Sequence, residues 1–328
     1  MIVWLWLGFI LFVLTMLALD LGLLNRHARV IKTREALIWS GFCAVLAMGF
    51  NVLIYFIYQY KWLGVNAAGE TFLPGREAAL QFFTGWVIEQ SLSLDNIFVI
   101  ALIFSYFRIP VEYQHRALFW GIVGALVMRA GMILAGAALM ERFDWINYVF
   151  GGLLFLTAIK MLRAGDEDIH PDRNIFVRIA RRFYPVTSEL QGEKFFARVD
   201  GRTVITPLFL VLLVIESTDV LFAVDSIPAI FAVTRDSFIV FTSNVFAILN
   251  LRSLYFALAD LMERFKYLKT SLVFILAFVG VKLMLAHHFP IPTYVTLVLV
   301  GAGLAVGILS SLWTTRKEER RAAERELP

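Results

Sequence analysis

Residues 85–110 read GWVIEQSLSLDNIFVIALIFSYFRIP, and residues 210–233 read LVLLVIESTDVLFAVDSIPAIFAV. Each stretch is long and apolar enough to cross a bilayer, which takes about 20 residues in a helix. Yet each carries acids in its interior: Glu89 and Asp95 in the first, Glu216, Asp219 and Asp225 in the second. An acid at the bilayer centre costs roughly 2.5–3.5 kcal/mol on insertion scales, so such a set calls for a cation, a proton or a basic side chain as partner. The fold class that follows is an all-α polytopic membrane bundle with a charged interior.

The rest of the chain agrees. Of 328 residues 59% are hydrophobic and 17% charged, and the mean hydropathy is +0.74. A soluble domain has about 45–50% apolar and about 25% charged residues, so a water-soluble enzyme, a disordered tail and a coiled coil are excluded. The single cysteine, Cys43, excludes disulfide frameworks and thiolate metal sites. Hydropathy predicts about nine transmembrane helices, at 2–24, 36–58, 79–106, 117–139, 146–163, 204–231, 238–259, 271–288 and 293–313. They form a single membrane transport domain over 1–328, with two N-terminal helices in 2–58, a last helix at 293–313 and a charged tail at 314–328. The opening MIVWLWLGF has no basic flank and reads as a retained helix.

Twenty-two of the thirty lysines and arginines fall in one set of loops and four in the opposite set. This bias places the N-terminus outside and the C-terminus in the cytoplasm. It also explains the formal charge of +4 without any nucleic-acid partner; the expected partner is the lipid bilayer. The one long connection, 164–203, is cytoplasmic. In NIFVRIARRFYP (174–185), Ile175, Phe176, Ile179 and Phe183 share a helical face away from Arg178, Arg181 and Arg182, the pattern of a helix at the membrane surface. FFARVDGRTVI (195–205) suggests a hairpin turning at Asp200-Gly201. The tail TTRKEERRAAERELP reads as a solvated helical end.

The chain also resembles itself. LMERF stands at 139–143 and again at 261–265, Lys160 matches Lys282, and DNIFVI (95–100) matches DSIPAI (225–230), which sets Glu89 against Asp219. Repeat 1 (79–163) and repeat 2 (204–288) each hold three spans, so the second enters from the opposite side. Such 3+3 inverted repeats characterise secondary transporters, with a site near the midplane at the repeat interface. A duplicated bundle without transport is the plainer alternative.

Six acids lie within the spans: Asp20, Glu89, Asp95, Glu216, Asp219 and Asp225. The intramembrane bases Arg129, Arg252, Lys160 and Lys282 are candidate charge partners, with the two lysines expected to snorkel to the interfaces. Six acids against four bases leave a deficit that one divalent cation would fill. Glu89, Ser93 and Asn96 share a face, whereas Asp95 is turned about 120° from Glu89 in an ideal helix. Both acids reach one site only if the helix breaks, and Pro228 after Asp225 predicts a break in the second copy. The expected metal ligands are Glu89, Asp95, Glu216, Asp219 and Asp225, with Asp20, Asn51, Ser93, Asn96, Ser226, Asn244 and Asn250 as further polar or ion-path residues. An all-oxygen set suits Mn²⁺, Mg²⁺ or Ca²⁺. All five histidines lie in loops or near span ends, which argues against a histidine-rich zinc site.

The two acidic blocks, with ALDLGL around Asp20 and ERFDWINYVFGGLLFLTAIKML (141–162), resemble the TerC family of bacterial integral membrane proteins, most closely its Alx-type branch. The resemblance covers nearly the whole chain. It implies membership of a superfamily of inverted-repeat exporters, and for this branch manganese efflux linked to metal homeostasis and alkaline conditions. It carries the family's acids onto Glu89, Asp95, Glu216, Asp219 and Asp225, with Asn96 and Ser226 beside them. The resulting expectation is a secondary exporter of Mn²⁺ as transported ligand, with no permanently bound cofactor, coupled to protons or membrane potential since no G-x-x-x-x-G-K-[ST] is present. It is not an enzyme: no G-x-G-D supports an intramembrane aspartyl site. A transporter of Ca²⁺ or a small solute, and a non-transporting scaffold for envelope proteins, stay open.

Overall fold

The computed structural model describes residues 2–19, 33–65, 72–143, 145–163, 174–187, 190–199, 202–258, 267–286 and 288–325. Ten α-helices carry the fold: α1 (Ile2–Leu19), α2 (Thr33–Gln59), α3 (Gly75–Tyr106), α4 (Val111–Arg142), α5 (Ile146–Arg163), α6 (Ile175–Phe183), α7 (Pro207–Phe231), α8 (Ser237–Leu258), α9 (Leu268–Leu285) and α10 (Thr293–Arg325). Among the described residues eight of these, α2–α5 and α7–α10, are long and apolar enough to span a membrane. The first predicted span is seen as the shorter α1, and its end, with Asp20, lies outside the described residues. The molecule is an all-α polytopic membrane protein.

Local chemistry sets the ends. Pro110 precedes α4 and Pro207 opens α7, positions where a missing backbone N–H costs nothing. Asp236 Oδ1 caps α8 by accepting from the N–H groups of Phe238 and Ile239 at 2.9 and 3.1 Å. Its other oxygen accepts from the Tyr58 hydroxyl at 2.6 Å, which ties α2 to that cap. The helix of α10 runs on through the charged tail to Arg325, as expected.

The prediction of broken acidic helices is overturned. α3 and α7 each run without interruption. Pro228 lies in the last turn of α7, where its ring removes only the hydrogen bond to the Val224 carbonyl, and a proline φ of about −65° suits a helix.

α8 is the most enclosed span, with 78% of its central window buried against 17% for α2; α2, α3 and α4 all pack on it. The main pairings are α5 with α9, α3 with α8, and α4 with α7. An exchange of α3–α4–α5 with α7–α8–α9 maps this set of pairings onto itself. At the α5–α9 crossing the main chains touch. A Cβ on Gly151 would stand 2.6 Å from the Gly280 carbonyl oxygen, and one on Gly280 2.8 Å from that of Gly151, the small-residue contact that lets membrane helices approach closely.

The predicted amphipathic helix is α6. Ile175, Phe176, Ile179 and Phe183 are exposed and Val177 is buried. It is also docked on the bundle. Asn174 Oδ1 caps it, accepting from Phe176 and Val177 N–H, while Asn174 Nδ2 donates to Ser217 Oγ of α7 at 2.6 Å. Beyond its other end, Ile205 N–H donates to the Pro185 carbonyl at 3.0 Å. Ile205 and Ser217 bracket the first part of α7, so α6 lies antiparallel along it. Strands β1 (Phe196–Val199) and β2 (Arg202–Ile205) pair antiparallel with Val199 opposite Arg202; the predicted turn at Asp200-Gly201 lies outside the described residues.

Candidate functional site

The centre of the site is Arg129 of α4, 1% exposed. Its guanidinium forks onto Asp219 of α7, with Nε to Oδ2 at 3.0 Å and Nη2 to Oδ1 at 2.8 Å. Nη1 donates to Glu89 Oε1 of α3 and to Ser226 Oγ of α7 at 3.1 Å. One base thus bridges the two acids that the internal repeat sets against each other. Glu89 is fully buried, and a buried ion pair of this kind holds only when forked and hydrogen-bonded. Its second oxygen, Oε2, is buried and makes no hydrogen bond among the described residues.

Beside this clamp is a cavity of ≈ 30 Å³, more than the ~10–15 Å³ that a buried water needs. Its lining is mostly apolar, with Ile100 of α3, Gly121 of α4, Phe222 of α7 and Ile248 of α8 among it, and its polar members are Asn96 of α3 and Thr218 and Asp219 of α7. On α3, Glu89 and Ser93 lie on the same face as Asn96, at seven and three residues' remove; on α8, Asn244 lies one turn from Ile248. Ser93 Oγ and both amide atoms of Asn244 are buried without a hydrogen-bond partner. A stripe of unsatisfied polar atoms therefore continues the cavity between α3 and α8.

Glu216 stands one turn before Asp219 on α7, within charge–charge range of it. Its carboxylate fills the recess left by Gly124 of α4, where any Cβ would collide with it.

The remaining predicted ligands are elsewhere. Because α3 is unbroken, Asp95 turns from Glu89 and its charge partner is Lys269 at the start of α9. Asp225 Oδ1 accepts from Thr157 Oγ1 of α5 at 2.8 Å, and Lys160, one turn along, is its charge partner. Among the described residues no three of His, Cys, Asp and Glu are gathered so as to hold a metal ion. The structure thus joins Glu89 and Asp219 through Arg129, with Glu216 adjacent, and sets Asp95 and Asp225 apart.

Of the other bases, Lys160 is exposed as expected. The expectation that Lys282 snorkels is overturned: it is 6% exposed and donates to Thr296 Oγ1 of α10 at 2.8 Å. A partner within reach makes the interface unnecessary. Arg252 meets His115 at 2.9 Å. Asn51 and Asn250 each bury a carbonyl oxygen with no hydrogen bond.

Sequence reasoning missed Thr157, Thr218, Gly124, His115 and Lys269. Thr157 was within reach, since it sits three residues before Lys160 on one helical face. Gly121, Gly124 and Ala125 form a small-residue stretch of the kind that marks close approach in a membrane.

The profile of the family described as Integral membrane protein TerC family matches residues 75–319, from the start of α3 into α10. An "Uncharacterized membrane protein" of Myxococcus xanthus is 48% identical over 95% of this chain and 93% of its own. The Escherichia coli (strain K12) protein named "Putative membrane-bound redox modulator Alx" is 41% identical over 97% of each chain. An uncharacterized membrane protein of Rickettsia bellii is 38% identical over 94% of this chain and 96% of its own. No solved structure matches.

Proposed function

The chain belongs to the TerC family of integral membrane proteins, and from that premise we propose that it is a secondary transporter exporting a divalent cation, Mn²⁺ first among candidates, across the bacterial inner membrane with its C-terminus in the cytoplasm. The observation that carries the reading is the Glu89–Arg129–Asp219 clamp beside a small, mostly apolar cavity that Asn96, Thr218 and Asp219 border. Intramembrane ionisable groups mark ion pathways by default. The oxygens near the clamp, from carboxylates, Asn96, Ser93 and Thr218, are hard donors of the type that suits Mn²⁺. Asp95 and Asp225 are the outlying acids of the same path. Glu89 and Asp219 bind the ion, and movement of α3–α4–α5 against α7–α8–α9 exposes it to either side in turn. Membrane potential, protons or the metal gradient supply the energy.

A non-transporting scaffold is the second reading, favoured by the same clamp, since ion pairs this well matched also serve assembly. The redox role in the relative's name gains no support from thiol chemistry here, because the one cysteine, Cys43, is buried in α2.

Mn²⁺ flux into proteoliposomes with an imposed pH gradient separates the readings. Wild type is expected to transport Mn²⁺. Asp225→Asn keeps an acceptor for Thr157 and removes only the charge, so it is expected to fold and to lose flux by about tenfold or more, as is Asp95→Asn. Undiminished flux in both variants overturns the acidic-path reading. Wild type without Mn²⁺ flux overturns transport of this ion.

A further inference from the structure

Arg129 takes the place that a bound cation would hold. Its guanidinium spans Glu89 of α3 and Asp219 of α7, the two acids that the repeat sets against each other, and pairs with both. Resting on the transport reading above, we infer that Arg129 is a tethered substitute for the transported cation: its one positive charge offsets part of the charge of Glu89 and Asp219 in the unloaded protein, and it is displaced when Mn²⁺ occupies them.

Three observations support this. First, the pair is enclosed: Glu89 and Arg129 have side-chain exposures of 0% and 1%. Buried acids left without a counter-charge are strongly destabilising, so a carrier that must return empty through a closed state needs a positive charge at this point. Arg129 supplies it. Second, the clamp is incomplete. Arg129 takes one oxygen of Glu89 and leaves Oε2 buried and without a hydrogen bond among the described residues, while Asp219 also borders the cavity, with Asn96 and Thr218 as its polar neighbours there. A cation in the cavity meets the Asn96 and Thr218 oxygens beside Asp219, which the guanidinium does not use. Third, a further acid stands beside the clamp: Glu216 lies one turn from Asp219 on α7 and fills the recess of Gly124 on α4, the helix that carries Arg129. The effect of the device is that the empty protein closes with Arg129 on the acids and the loaded protein closes with the ion there, so a positive group faces Glu89 and Asp219 in both legs of a transport cycle.

A purely structural clamp differs in its consequences, and two modes of transport distinguish them. Exchange of Mn²⁺ for Mn²⁺, with saturating ion on both sides, uses only loaded legs. Net efflux needs the empty return. In proteoliposomes holding full-length Arg129→Gln, exchange is expected to stay within about threefold of wild type while net efflux falls about tenfold or more; Mn²⁺ binding to the purified protein is expected to tighten about tenfold, because the competing state is removed. Arg129→Lys, which keeps the charge but cannot fork, is expected to retain net efflux within about threefold and to bind Mn²⁺ more tightly than wild type. Binding that does not tighten in either variant, or loss of exchange and net efflux together in a variant that assembles, overturns the inference. Should Arg129→Gln not assemble, the lysine variant decides by the same criteria. Wild type that neither exchanges nor binds Mn²⁺ defeats the transport reading and the inference with it. Wild type that exchanges Mn²⁺ while the variants fail these criteria defeats the inference alone.

Discussion

Gly124 shows how a residue with no side chain controls one that has a charge. The Glu216 carboxylate occupies the space where a Cβ would stand, so Gly124→Val must push Glu216 aside. Overpacking of this kind costs about 1–3 kcal/mol; a lowered thermal midpoint together with reduced Mn²⁺ flux is expected, and a variant matching wild type in both would show that Glu216 has room to spare. Glu89→Gln should be harsher. It leaves Arg129 short of one counter-charge in a closed interior, and losses of about 3–5 kcal/mol are typical when one partner of a buried pair is removed; chemical unfolding in mild detergent measures it. At this scale the sequence marked out the ionisable groups of the spans, because such groups stand out in apolar runs. Which acid meets which base was not legible. That depends on the rotation of α4 about its own axis, and nothing in the local pattern of α4 says that Arg129 faces Glu89 and Asp219 while Asp95 faces Lys269.

Element boundaries were largely legible, and lipid is the reason: a spanning helix must satisfy its own backbone and present about 20 apolar residues, which leaves a long signal. α5 coincides with the predicted 146–163 and α7 begins within a few residues of the predicted start. The broken helices were the misreading. Proline was taken as a breaker without regard to its distance from the end of α7. For α6 the amphipathic face was readable from spacing, but its docking was not, since that rests on tertiary contacts: the hydrogen bond from Asn174 to Ser217, the one from Ile205 to Pro185 and the burial of Val177. Asn174→Ala removes both the cap and the tie. A cap alone is worth about 1 kcal/mol, so amide exchange in 175–183 should quicken severalfold while the spans keep their protection; unchanged exchange would mean that Val177 and the Pro185 contact hold α6 without it.

At the scale of the whole molecule, the internal sequence repeat and the exchange-related pairings of α3 with α8 and α4 with α7 point to the same organisation. The seam between α5 and α9 brings a glycine of each helix together. Where side chains separate two helices, their layer can shear. At Gly151 and Gly280 the backbones themselves are in contact, and any enlargement there must wedge them apart: Gly280→Val is expected to lower the thermal midpoint and to weaken assembly in detergent, and a variant of wild-type stability would show that the crossing tolerates separation. Helices held backbone to backbone along such a seam cannot slide past each other without first lifting off. If the two three-helix units move against each other, α5 and α9 stay together at these glycines, and displacement is least there.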